Sequence, residues 1–141
     1  MSTMTWADVM ANPHLKNLPF KIELNQWGRI EMTPAGNDVG LLKVQGAFRL
    51  GQRVGGQVLM NCSIATSDGV RVADAAWVSD ARLRQFGDVS PFPRAPEICV
   101  EVKPDSGPWD AMHVKARLYL EAGAQEVWIE ALDGERRVLR D

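Results

Sequence analysis

Residues 95–104 read APEICVEVKP, and they constrain the fold more than any other part of the chain. As an extended strand this segment sends alternate side chains to opposite faces. Ile98, Val100 and Val102 then share one side, and Cys99, Glu101 and Lys103 share the other. Pro104 stops the strand. One face is apolar, and the other carries a carboxylate and an ammonium two residues apart. Such a pair is either a solvated strand face or a working site.

The neighbouring segments predict a mixed sheet with helices. Residues 5–16 open with a helix cap and carry Trp6, Val9 and Met10 at helical spacing, with Pro13 keeping the helix short. Residues 20–32 alternate as two short strands broken at Gly28, which predicts a hairpin. Val39, Leu42, Ala47 and Leu50 form the apolar stripe of an amphipathic helix over 38–53, ended by Gly55 and Gly56. A strand, a Ser67-Asp68-Gly69 turn and a second strand over 70–78 follow, the last with Asp74 in its middle. Residues 79–94 read as a long arginine-bearing connection, irregular at its proline-rich end. After the central strand come a helix over 110–122, closed by Gly123, a strand over 126–131 and a final short strand beyond Gly134. This order predicts an α/β (α+β) fold, a mixed central β-sheet flanked by helices with an N-terminal β-hairpin.

At 141 residues and 15.6 kDa, with 45% hydrophobic and 24% charged residues, the chain fits one domain over 1–141. Residues 1–19 supply its N-terminal helix and 20–141 its core. No apolar stretch is long enough for a membrane span and no leader-like start is present, so a cytoplasmic protein with no membrane partner is expected. Cys62 and Cys99 stand singly in apolar runs, as reduced core residues do. His14 and His113 have no second His or Cys at ligand spacing. A net charge of -2 excludes a protein that coats nucleic acid through its overall field, though not one with a local basic groove.

The tightest constellation is Asp74 on one strand with Glu101 and Lys103 on the next. Adjacent strands lie about 4.8 Å apart, so two such carboxylates can share one divalent cation while a lysine one pleat along reaches the same pocket. Hard oxygen donors favour Mg²⁺ or Mn²⁺ over zinc. Among 18 acidic and 16 basic residues this spacing also arises by chance on a solvated face. The apolar company of both carboxylates argues for a partner or a metal instead.

VRVADAAWVSDARL, APEICVEVKPDS and KARLYLEAGAQEVWIE, in that order, resemble the "putative restriction endonuclease" family, formerly a domain of unknown function, of the PD-(D/E)xK nuclease superfamily. IELNQWGRIEMTPAGN is similar to that family's N-terminal hairpin and proline loop. The resemblance spans roughly residue 20 to the C-terminus. It implies a restriction-endonuclease-like fold and a Mg²⁺-dependent endonuclease acting on DNA. It further implies Asp74 and Glu101 as metal ligands, with Lys103 completing the catalytic set. Glu31 on the hairpin matches an acidic position near the site. Lys115 and Tyr119, one helical turn apart, match the helix that shapes it. The family's proline before the first aspartate is Ala73 here, many relatives carry Ser in place of Lys103, and relatives often continue with further strands past the last hairpin. The alternative is a catalytically inactive nucleic-acid-binding or interaction module on the same fold. A homodimer is expected by analogy, because cutting both strands often needs two centres.

Overall fold

The computed structural model describes residues 3–141. Helix α1 (Trp6–Ala11) starts with a reciprocal cap in which the Thr5 hydroxyl accepts from the Asp8 N–H and the Asp8 carboxylate accepts from the Thr5 N–H. Two donors that a helix start leaves free are thereby satisfied. The helix ends two residues before Pro13, whose ring disfavours a helical residue ahead of it. Strands β1 (Phe20–Leu24) and β2 (Ile30–Pro34) pair antiparallel with Glu23 opposite Glu31. The Asn25 side chain holds the turn between them by accepting from the Trp27 and Arg29 N–H groups.

Helix α2 (Asn37–Leu50) lies against the sheet. Gly46 permits this approach: a Cβ there would stand 3.1 Å from the Val100 side chain. Strands β3 (Gln57–Thr66) and β4 (Gly69–Val78) form a long hairpin registered from Gln57 opposite Val78 to Thr66 opposite Gly69.

Helix α3 (Asp80–Phe86) corrects the reading of 79–94 as one long connecting loop. Ser79 caps it by accepting from the Arg82 N–H, and Arg82 donates to the Ala95 and Gly123 carbonyls. Phe86 then packs on Phe92, with ring centroids 4.7 Å apart. The arginines that suggested an exposed loop are partly used to tie this short helix down.

Strand β5 (Ile98–Lys103), helix α4 (Trp109–Glu121), strand β6 (Glu126–Ala131) and strand β7 (Arg136–Arg140) complete the chain. The sheet runs β2-β1-β4-β5-β6-β7, with β3 on β4. Among the described strands, β5 and β6 are the pair that runs parallel, joined across α4 as parallel neighbours require. One face packs Ala75, Ile98 and Val100 against Leu50 of α2. The other packs Ala76, Cys99, Val127 and Ile129 against Met112, Ala116 and Tyr119 of α4 and Phe86 of α3. This is the mixed sheet with flanking helices and an N-terminal hairpin that the sequence predicts. Cys62 and Cys99 are free and buried within it, and burial pushes the Cys62 thiol up to about 12. Among the described residues no helix is long and apolar enough to cross a membrane.

Candidate active site

The site forms where the sheet forks. One edge of β4 pairs with β3 along its length except at Asp74, while its other edge meets β5 at residues 75–77 and β1 only at Val70 opposite Leu24. Between these contacts the strands diverge, and backbone donors that a continuous ladder would satisfy need other acceptors. Carboxylates fill that role. Glu23 of β1 accepts from the Val72 N–H at 2.7 Å, and Asp74 of β4 accepts from the Val102 N–H at 2.7 Å. Glu101 of β5 stands beside them, and all three acids are at most 4% exposed.

Three lysines from three different elements compensate these charges. Lys21 of β1 places its Nζ 3.1 Å from Asp74 Oδ1 and 2.9 Å from Glu101 Oε2. Lys43 of α2 lies 3.3 Å from the same Asp74 oxygen. Lys115 of α4 bridges Glu23 Oε2 at 2.6 Å and Glu101 Oε1 at 3.2 Å. One turn further along α4, the Tyr119 hydroxyl donates to Glu101 Oε1 at 2.6 Å. A cleft of about 510 Å³ opens over the cluster, bounded on its polar side by Lys21, Glu23, Glu31, Arg71, Glu101 and Lys115. At its rim Arg71 holds Glu31 at 2.9 Å and Asp68 at 2.7 Å.

Burial and charge set the titration of these groups in opposition. Burial alone would raise Asp74, but Lys21, the Val102 N–H and Lys43 outweigh it and hold the carboxyl below its usual range. Glu23 behaves alike through Lys115 and Lys21. For Glu101 complete burial wins over Lys115 and Lys21, with the charges of Asp74 and Glu23 adding to it, so this carboxyl is held above its usual range. Burial would lower Lys21, yet Glu101, Asp74 and Glu23 together keep it firmly protonated.

The fold therefore brings Asp74, Glu101, Lys115 and Tyr119 into one cluster and sets Glu31 at its rim. Lys103 is placed elsewhere. It shares the Glu101 face of β5, but its amine donates to the Pro104 carbonyl at 3.3 Å and stands 5.5 Å from the Trp109 ring centroid. Sequence reasoning missed Lys21, Glu23 and Lys43. Each left a signal. Lys21 and Glu23 alternate with Phe20, Ile22 and Leu24 just as Glu101 and Lys103 alternate with β5's apolar residues, and Lys43 interrupts the helical stripe from Val39 to Ala47.

Among the described residues no three His, Cys, Asp or Glu side chains are grouped closely enough to hold a metal ion unaided. The pair Asp74 and Glu101 nevertheless offers hard oxygen donors on either side of a point held by a cation, the Lys21 ammonium. One or two carboxylates completed by water and substrate phosphate is the donor set that Mg²⁺ takes, so the residues present fit that ion.

The sequence profile of the Uma2 family, described as "Putative restriction endonuclease", matches residues 10–139. The chain belongs to the Uma2 family. A crystal structure from Anabaena variabilis ATCC 29413, described as a putative nuclease belonging to DUF820, superposes with a TM-score of 0.69. At 15% identity, over 98% of this chain and 85% of that one, it establishes that this Uma2 chain shares its fold. No curated protein matches the chain in sequence.

Proposed function

We propose that the protein is a Mg²⁺- or Mn²⁺-dependent endonuclease that hydrolyses phosphodiester bonds in DNA, leaving 5'-phosphate and 3'-hydroxyl ends. One observation carries this reading. Two almost fully buried carboxylates from neighbouring strands, Asp74 and Glu101, converge on a single cation position, the Lys21 ammonium, and Lys21 and Glu101 line the open cleft.

Asp74 and Glu101 are the residues that would hold the divalent ion. When bound, such an ion polarises a phosphoryl oxygen and makes a bound water more acidic. Lys115, held between Glu23 and Glu101 on the cleft wall, carries the positive charge best placed to meet the charge that develops on phosphorus oxygens. We assign to it the role that spacing along β5 suggests for Lys103. Tyr119 is a positioning residue that fixes Glu101 through its 2.6 Å hydrogen bond. Glu31 and Arg71 shape the rim, where Arg71 is the guanidinium nearest an approaching backbone phosphate. Cleavage of both strands then calls for two copies, most simply a homodimer.

Supercoiled plasmid incubated with Mg²⁺ or Mn²⁺ tests this. The wild type is expected to nick it, Asp74→Asn and Glu101→Gln to leave it intact while remaining folded, and Lys115→Ala to lose more activity than Lys103→Ala. Nicking that survives Glu101→Gln would rule the mechanism out. A second reading, an inactive nucleic-acid-binding module, draws on the way three lysines already neutralise the fork. It predicts DNA binding that is indifferent to divalent ions and to all four substitutions.

A further inference from the structure

The charges in the fork can be counted. Glu23, Asp74 and Glu101 supply three negative charges, and Lys21, Lys43 and Lys115 supply three positive ones. All six side chains are largely withdrawn from water, with 16% the greatest exposure among them. These six charges balance one another, while Arg71, 3.9 Å from Glu23, is matched at the rim by Glu31 and Asp68. A divalent ion entering between Asp74 and Glu101 would add two uncompensated positive charges where the effective dielectric is low, beside an ammonium that already holds both ligands. Such an ion enters readily only if that ammonium leaves or if negative charge arrives with it.

Lys21 has somewhere to go. Lys21 borders the catalytic cleft and also a second cavity of about 410 Å³, bounded by Trp6, Leu18, Asn61 and Lys43. Four rotatable bonds in the lysine stem give its amine freedom to leave the carboxylates while β1 keeps its place. A phosphodiester in the cleft supplies the second half of the exchange, because its negative charge offsets what the incoming ion adds.

We propose that Lys21 is a resident counter-ion that a divalent cation has to displace, so that this lysine sets cation affinity and couples cation entry to the arrival of a phosphodiester. The inference rests on the nuclease reading of Asp74 and Glu101. It concerns a residue that spacing did not single out, and it makes the protein a poor binder of free Mg²⁺ until DNA is present. Lys21 is a positioning residue here. It holds the two ligands together through one ammonium, and it yields its place without deprotonation.

The test measures Mn²⁺ binding rather than cleavage. Titration calorimetry, with the rise in thermal midpoint on adding Mn²⁺ as a second readout, is applied to the wild type, Lys21→Met and Lys21→Arg. Lys21→Met is expected to bind Mn²⁺ about tenfold tighter or more, because the competing charge is gone. Lys21→Arg keeps the charge and is expected to stay as weak as the wild type. Wild-type affinity should rise toward that of Lys21→Met when a phosphorothioate-substituted duplex that resists cleavage is present. If Lys21→Met melts too low for calorimetry, the midpoint rise with Mn²⁺ still reports the tighter binding. Equal Mn²⁺ affinity in wild type and Lys21→Met would overturn the counter-ion role and leave the nuclease reading standing. Absence of Mn²⁺ binding in every variant, with and without DNA, would overturn both.

Discussion

Replacing Tyr119 by Phe removes a single oxygen from a ring that is 0% exposed and packed among Cys99, Met112 and Ala116 in the same core. The ring stays, so no cavity of consequence opens, and the change isolates one hydrogen bond, the 2.6 Å contact from the hydroxyl to Glu101 Oε1. Burial and the nearby carboxylates push the phenol well above its ordinary value, so it remains a donor across the working pH range. A hydrogen bond to an ionised acceptor contributes about 1.5–3 kcal/mol. Glu101 keeps Lys21 and Lys115, so the carboxylate is not left without partners. The expected loss is therefore about 2 kcal/mol. For a chain of this length that corresponds to a fall in Tm of about 4–8 °C.

Urea unfolding followed by circular dichroism measures it, with an unchanged m value showing that the two end states are comparable. The same substitution in a Glu101→Gln background separates this bond from any general effect of the hydroxyl. There the acceptor is neutral, and the cost of Tyr119→Phe should fall to about 0.5–1.5 kcal/mol. A loss below about 0.5 kcal/mol in the wild-type background, the range of an ordinary surface change, would show that Tyr119 does not hold Glu101.

Two further outcomes concern the fork as a whole. Asp74 and Glu23 have folded-state pKa values below their ordinary 3.8 and 4.5, so the unfolded chain binds more protons than the folded one in that window. Their stabilisation is present above those values and is lost as pH falls through the folded pKa values, giving an acid limb in the urea midpoint that Asp74→Asn should flatten. Glu101 acts with the opposite sign, because its raised pKa favours the folded state as an acid and that advantage fades as pH climbs above 4.5. Glu101→Gln should therefore alter the neutral side of the profile and leave the acid limb in place; an acid limb insensitive to Asp74→Asn would contradict the charge assignment. Gly69, at φ 79°, could accept a Cβ only 2.1 Å from the Leu24 carbonyl oxygen, at the one point where β1 and β4 pair. Gly69→Ala should cost about 2 kcal/mol or more by forcing the arm of the fork apart, and a wild-type melting curve would mean that this junction yields freely.

The strand-by-strand content of the site was legible because a period of two needs no tertiary information. Glu101 falls between Val100 and Val102, and Asp74 between Ala73 and Ala75, and in both strands apolar neighbours imply burial. Lys103 shows the limit of that reasoning. Alternation states which face a side chain leaves from, but the direction in which a long lysine then bends depends on what stands opposite, here its own following carbonyl and Trp109. Lys21 and Glu23 carried the same alternating signal in β1, yet a two-stranded hairpin normally keeps one face in water. Only the docking of β1 on β4 turns that face inward. Lys43 required knowing that α2 lies over the fork, and α3 was hidden by arginines whose partners, the Ala95 and Gly123 carbonyls, are distant in sequence.

Stability alone gives no reason for six charged side chains at the meeting of three strands. Buried ion pairs seldom outweigh the cost of removing both ions from water, and apolar residues of similar volume in their place are often neutral or stabilising. Most of the rest of this sheet follows that pattern, with Ala, Val, Ile and Cys filling both faces and Glu130 of β6, held by Arg49 and Arg136, as an exception. Where the ladder opens, however, a sheet needs acceptors for its stranded N–H groups, and only two of the six oxygens of Glu23, Asp74 and Glu101 serve that need, at Val72 and Val102. The remaining oxygens face lysines, a tyrosine and, for Glu23 Oε1, the Arg71 guanidinium. The fork thus carries more negative charge than its backbone requires, beside a cleft open to solvent. That surplus, held neutral by lysines on flexible stems, is what lets the site exchange an internal cation for an external one.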